Sequence, residues 1–398
     1  MINPELLQTE RGKCFARLLP MLVGCLFVAN GTAHADSVVM LKRSPVEIVY
    51  DSETQNTYET FRIPALVETS DGKLLAFAEG RVESARDDAV THVLLRTSAD
   101  LGNSWSELAV VQADGDRTIG NPAPVVDCDT GVIWLFFCKD NREIWLTSST
   151  DNGSTWKEPV NMTQELTRPE HGGFIATGPG HGIQLTHGNR AGRLLVTAYG
   201  HQNATATNTA GSKSFSLFSD DHGETWQVGE STQEQAPGLP DGNECMPVEL
   251  GDGTIYLAIR NNMVNAGRAF ARSDDGGTTW DVVQLESSLP APVCQASILK
   301  RNTPDGQTEC FYAAPARQAT SRKDKSARQK LSLWRSRDDC RHWSKVGVID
   351  RGPSSYSDLA VLNNNELGCL YSAGETKYFG QIRFVRLQIK SSNEDKSQ

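Results

Sequence analysis

Two short stretches of this chain carry residue types that do covalent chemistry. The segment SSYSDLAVL, Ser354 to Leu362, presents Tyr356, and NECMPVEL, Asn243 to Leu250, presents Glu244. A phenol with a pKa near 10 is a poor nucleophile at neutral pH and needs a base beside it. Arginines recur in equally distinctive settings: Arg62 in TFRIPAL, Arg81 in LLAFAEGR, Arg260 in LAIRNN, and Arg328 at the end of the basic run RQATSRKDKSARQK. Guanidinium forks bind carboxylates bidentately and stay ionised, so a set of them that converged would hold an acidic ligand. Asp87 and Asp88 follow Arg81 closely and offer carboxyls that can give and take protons. These positions run from residue 62 to residue 356, so the fold must gather them.

The elements that would do so are marked by a repeat. SADLGNSW, Ser98 to Trp105, recurs as STDNGSTW from Ser149, SDDHGETW from Ser219 and SDDGGTTW from Ser273, with a worn copy, SRDDCRHW, from Ser336. Asp and Ser side chains capture nearby backbone groups, and Gly accepts positive φ, so the box is a turn. Its Trp can pack between strands or sheets. Strand-like runs surround the boxes, among them HVLLRTS, VIWLFFC, RLLVTAYG and TIYLAIR, separated by Gly, Asn, Asp and Pro. No long segment has a helical period. The chain therefore reads as all-β, a β-propeller with Asp-box turns, and at roughly 60 residues per repeat it would have six blades.

Composition limits the rest. The chain has 398 residues, 22% charged and 38% hydrophobic, with a formal net charge of −10. That balance argues against nucleic acid or an anionic membrane as a broad electrostatic partner, though not against one basic cleft. Arg11, Lys13 and Arg17 precede the apolar run LLPMLVGCLFVA and the small-residue site AHA, so residues 1–35 read as a secretory signal and 36–398 as the exported domain, periplasmic or secreted. A membrane anchor and a lipid anchor at Cys25, within LVGC, are the alternatives. Removing Cys14 and Cys25 leaves seven cysteines, without zinc-like spacing and with no pairing that the sequence can assign.

With the boxes, FRIP, EGR, Asn-Glu, a later arginine and Tyr-Ser-Asp in that order, the chain resembles the exo-sialidases of the bacterial and animal lysosomal-like type. These are retaining glycoside hydrolases on a six-bladed propeller. The resemblance runs from about residue 45 to residue 390. It implies that Arg62, Arg260 and Arg328 clamp the substrate carboxylate, with Arg317 and Arg322 as alternatives for the third. The usual Asn-Pro before that arginine is replaced by AAPA here. Tyr356 matches the nucleophile and Glu244 its base, a pairing suited to an anomeric carbon whose own carboxylate would repel an anion. Asp87 matches the acid/base, with Asp88 as the alternative. Ala89 stands where the family commonly has Gly. Arg81, Asn121 and Tyr199 fall in segments that line the family's pockets, and His181 in GPGHG reads as structural or as part of the rim. The implied substrates are sialylated glycans, glycoproteins or glycolipids, and the chemistry requires no metal or organic cofactor. A non-catalytic Asp-box propeller would keep the boxes without needing this residue set. The basic run beside Arg328 reads either as a solvated loop or as a rim that attracts multiply sialylated substrates.

Overall fold

A computed structural model describes residues 39–201, 211–234, 242–290, 292–303, 306–363 and 365–391. The expected export signal and Cys25 lie outside the described residues. The seven described cysteines form no disulfide.

The described strands form five antiparallel sheets. In the first, Thr60–Glu68, Leu74–Arg81, Thr91–Ser98 and Ala109–Gln112 follow one another as a meander. The second repeats the pattern with Ile119–Val126, Ile133–Lys139, Glu143–Ser149 and Val160–Asn161. The third splits its first strand into Phe174–Thr177 and Ile183–Gln184, both paired with Leu194–His201, and continues through Lys213–Ser219 and Gln227–Val228. The fourth is Cys245–Glu249, Ile255–Ile259, Arg268–Ser273 and Gln284–Glu286.

The last sheet is larger than the others and has eight strands. Ser344–Val361 runs unbroken for 18 residues. Its first half pairs with Gln329–Ser336, and its second half, from Ser354, pairs with Leu367–Ala373. One strand thus ends one four-stranded unit and begins the next. Gln381–Ser391 then takes Val39–Arg43 and Glu47–Asp51 on its outer edge. The first strands of successive units are neighbours in space. Thr60–Glu68 lies beside Ile119–Val126 and Ser344–Val361, both pieces of the third unit's split first strand lie beside Ile119–Val126 with Ile183–Gln184 also beside Cys245–Glu249, and Ser297–Asn302 lies beside Cys245–Glu249 and Ser344–Val361. Leu74–Arg81 is buried at every position, because its side chains enter apolar layers on both faces of its sheet.

The boxes join the third strand of a sheet to its fourth. In the first copy the Ser98 hydroxyl donates to Asp100 and accepts from Gly102 N, while Asp100 accepts from Ser104 N at 2.9 Å. Each glycine faces the sheet before it. A Cβ on Gly102 would meet the Phe384 ring, and one on Gly223 the Trp134 ring. Trp105 packs edge-on against Phe384, and Trp226 against Phe136. The boxes are therefore clasps between sheets. The worn copy keeps the bonding with other atoms. Cys340 adopts the glycine's positive φ of 60°, and His342 takes the threonine's place on Asp338. The final unit carries no box because its fourth strand comes from the front of the chain, so no third-to-fourth turn exists there.

A second kind of clasp is ionic. The buried Glu249 carboxylate accepts from Thr186 N and His187 N, both at 2.9 Å, and pairs with Lys300 Nζ at 3.0 Å, joining three sheets. Burial alone would raise its pKa. The Thr186 hydroxyl, Lys300 and His187 outweigh burial and hold it at about 2, below the usual 4.5. A depressed folded-state pKa gives stability that is present above pH 4.5 and lost as pH falls towards 2. Glu249→Gln should therefore cost up to about 3 kcal/mol at neutral pH, with a deficit that shrinks between pH 4.5 and pH 2.5. Urea midpoints measured across that range check this, and a deficit independent of pH would contradict it.

Candidate active site

A cavity of about 470 Å³ opens where the first strands of several sheets begin or end, and Arg81, Asp87, Asn121, Tyr199, Glu244, Arg260 and Tyr356 are among its lining residues. These are seven of the nine positions singled out from the sequence. The other two, Arg62 and Arg328, lie buried against the Tyr356 ring, with guanidinium carbons 5.7 Å and 5.5 Å from its centre.

Local strain aims these side chains. Thr60–Glu68 breaks register between Arg62 and Ala65, and Ile63 sits there at φ 52°, a conformation that disfavours β-branched residues. Ile119–Val126 breaks at the equivalent place, with Asn121 at φ 56°. Both residues precede a proline, which needs no ladder hydrogen bond. The long strand breaks register between Ser354 and Ser357, around Tyr356. Bulges of this kind re-aim side chains beside functional sites.

Tyr356 and Glu244 meet directly. The phenol hydroxyl donates a short hydrogen bond to Glu244 Oε1. Arg260 Nη1 donates to the same hydroxyl at 2.8 Å and to Glu244 Oε2 at 2.7 Å. Burial, and then the Glu244 charge, push the Tyr356 pKa well up against the pull of Arg260 and Arg328. The resting residue is a neutral phenol with an acceptor already in place.

The three arginines differ in their partners. Arg260 has Glu244. Neither Arg62 nor Arg328 has a carboxylate at ion-pair distance among the described residues, and the Nε atoms of all three are buried without a hydrogen-bond partner. Arg328 Nη2 donates to the Val293 carbonyl at 2.9 Å, and its guanidinium lies 4.8 Å from the Tyr378 ring centre. Burial lowers the Arg62 pKa, and Arg81 and Arg328 add repulsion. Buried unpaired guanidiniums beside an open cavity make an anion site. Of the alternatives for the third arginine, Arg322 lies on the exposed rim and Arg317 lines a different hollow.

Asp87 stands at the mouth, its side chain 63% exposed, and Arg81 Nη1 donates to it at 2.8 Å. Partial enclosure favours its protonated form, but Arg81 and Arg62 prevail and hold its pKa below the ordinary Asp value. Asp88 instead pairs with Arg86 on the surface. Arg81 is itself buried between Asp87 and Glu79, so its first role is to position Asp87. Glu79 also accepts from Asn121 N at 2.8 Å, and Asn141 Nδ2 donates to the Asp87 carbonyl at 3.0 Å. Sequence reasoning missed Glu79, Asn141 and Tyr378. For Glu79 the signal was present in its own EGR triplet. Asn141 and Tyr378 lie in loops without any motif. His181 is mostly enclosed against Asp358, bonded at 2.8 Å, and lines a separate, largely apolar hollow.

A buried phenol bonded to a carboxylate, flanked by guanidiniums without carboxylate partners among the described residues and with a second carboxylate at the mouth, is an arrangement suited to an acidic ligand. A family profile described as a BNR repeat-like domain matches residues 72–369. A sialidase from Micromonospora viridifaciens is 31% identical across 94% of this chain and 60% of its own length. Sialidase-2 of Rattus norvegicus is 28% identical across 83% of this chain and 93% of its own. Among solved structures, the Hadza microbial sialidase Hz136 superposes with a TM-score of 0.69 at 24% identity, covering 85% of this chain and 67% of that one. The Trypanosoma rangeli sialidase, solved as a covalent intermediate with 2,3-difluorosialic acid, gives 0.64 at 19% identity, over 87% of this chain and 58% of that one. The chain belongs to the BNR-repeat sialidases, a glycoside hydrolase family. This chain spans 60% of the length of the Micromonospora relative and nearly all of the rat one.

If Asp87 is the proton donor, Asp87→Asn should slow turnover of a sialoside with a poor leaving group by ~10²-fold or more, and much less for an activated phenol. Asp88→Asn should stay near wild type on both. Equal losses for the two variants would remove Asp87 from that role.

Proposed function

We propose that this protein is an exo-α-sialidase that releases terminal α-linked sialic acid with retention, through a covalent bond to Tyr356. The observation that carries the reading is the Tyr356 hydroxyl, bonded to both Glu244 and Arg260 and flanked by the unpaired guanidiniums of Arg62 and Arg328.

The substrate carboxylate enters among the three arginines and supplies the counter-charge that Arg62 and Arg328 lack. A neutral phenol can then approach the adjacent anomeric carbon without repulsion. As the Tyr356 oxygen bonds to that carbon, its proton passes to Glu244, and Asp87 protonates the departing glycosidic oxygen. Arg62 helps to keep Asp87 ionised in the free protein. A bound carboxylate offsets that field, so binding moves the Asp87 pKa towards that of a competent acid. In the second half, Asp87 takes a proton from water. The water oxygen displaces Tyr356, which recovers its proton from Glu244. Two displacements at one carbon retain configuration. The neighbour relations among first strands, and the N-terminal strands that complete the last unit, support a closed six-bladed propeller as the frame. Residues 1–35 read as its export signal.

Incubation with 2,3-difluorosialic acid should add one glycosyl mass to the peptide containing Tyr356, and none to the Tyr356→Phe variant. The same variant should lose at least ~10²-fold in kcat on a fluorogenic α-sialoside. Proton NMR of the first product should show the α-anomer. A β-anomer, or a label on another residue, would sink the mechanism.

A further inference from the structure

The cavity holds more positive charge than one carboxylate needs. Beyond the three buried arginines, its exposed rim carries Arg322, Lys323 and Lys325, in a protein whose net charge is −10. All three belong to the loop between strands Thr308–Pro315 and Gln329–Ser336.

That loop is built. Asn265 donates to the Ala319 carbonyl at 2.8 Å and accepts from Ala319 N at 3.1 Å, tying the loop to the neighbouring sheet. Asp324 is the loop's one acidic residue, and its carboxylate is engaged by the loop's own backbone. It accepts from Thr320 N at 2.9 Å and from Ser326 N at 3.0 Å, capping the short turn Lys325–Ala327. It therefore organises the loop without neutralising the flanking lysines. No described carboxylate lies at ion-pair distance from Arg322, Lys323 or Lys325. Partial enclosure above all, with repulsion from Arg328 and Arg260 added, pushes the Lys325 pKa down to about 8.

Resting on the sialidase reading above, we propose that this rim is a subsite for a second anionic group on the glycan, placed on the part that projects from the mouth beyond the cleaved residue. The inner arginines take the carboxylate of the terminal sugar. The remainder of the substrate must leave past Asp87, through the same opening that the three rim cations border. A carboxylate of an adjoining sialyl residue, or a sulfate ester on the next sugar, has the chemistry to meet them.

The test compares kcat/KM for three lactosides at low salt: one monosialylated, one with an α2,8-linked disialyl group, and one monosialylated and sulfated. The wild type should favour a dianionic substrate by roughly fivefold, and added salt should erode that preference. The double variant Lys323→Gln/Lys325→Gln should bring the ratio close to one. Preference in the disialyl arm alone assigns the subsite to a sialyl carboxylate, and preference in both arms assigns it to any second anion. A ratio near one in wild type, or one that survives the substitution, overturns the proposal while leaving monosialoside turnover to speak for the sialidase reading. Failure to release sialic acid from all three would overturn that reading itself. Because the readout is a ratio within one preparation, partial misfolding of the variant does not imitate the effect.

Discussion

Three guanidiniums are held around one phenol, and two of them have no carboxylate at ion-pair distance among the described residues. Removing an ion from water costs several kcal/mol even after relaxation, so an arrangement of this kind has to be held by its surroundings. The holding groups are visible. Arg328 leans on the Val293 carbonyl and on two aromatic faces. Arg62 has Tyr356, Tyr378 and Phe379 near it, and cation–π contacts of this sort return part of the lost hydration. The site stays under electrostatic tension that an anionic ligand relieves, and the same field governs the resting state of Asp87.

The frame absorbs that tension at a small number of points. Asp358, two residues beyond Tyr356, accepts from Leu66 N at 2.8 Å, from His181 N at 3.1 Å and from the His181 ring. One buried carboxylate thereby joins the strand that carries Tyr356 to the strand that carries Arg62 and to a loop of the third sheet. Ser354 N, on the Tyr356 strand, donates to the Arg328 carbonyl at 3.0 Å. The strand of Tyr356 is thus tied to the strand of Arg62 through the Asp358 carboxylate and to Arg328 through a backbone hydrogen bond.

Chemistry and clasping are kept apart. The boxes make no contact with the cavity, although they are the loudest feature of the sequence. Their glycines and tryptophans bear on the preceding sheet, and in the worn copy Cys340 takes the glycine's place within the apolar cluster that holds Tyr256 and Cys310. That position requires a tight turn and close packing, and a buried thiol meets both needs at the cost of strain. The residues around the cavity leave less freedom. A Cβ on Gly120 would strike Glu79 Oε1, the oxygen that receives Asn121 N.

The all-β character, the turn at each box and Tyr356, Glu244, Arg62 and Arg260 as residues to be brought together were legible in the sequence. Each depends on short-range signals: period-two strands, Asx and glycine turns, and a distinctive local setting. The shared strand Ser344–Val361 was not legible, because nothing local marks where a strand passes from one unit to the next. The sequence favours Asp87 over Asp88 and Arg328 over Arg317 and Arg322, but leaves each alternative open. Adjacent residues of the same type differ only in where their side chains point. That direction is decided by Arg81, Asn141, Val293 and Tyr378, contributed by distant segments. The charge on the basic loop was plain from composition, but its bearing on the cavity was not. Asp324 could have neutralised the lysines, and only the folded turn engages it elsewhere. The sequence by itself determined which carboxyls, phenols and guanidiniums this protein can offer. The tertiary structure decided which of them meet and which remain unpaired, because electrostatic pairing depends on distance through space and the chain brings these groups together only when the sheets pack.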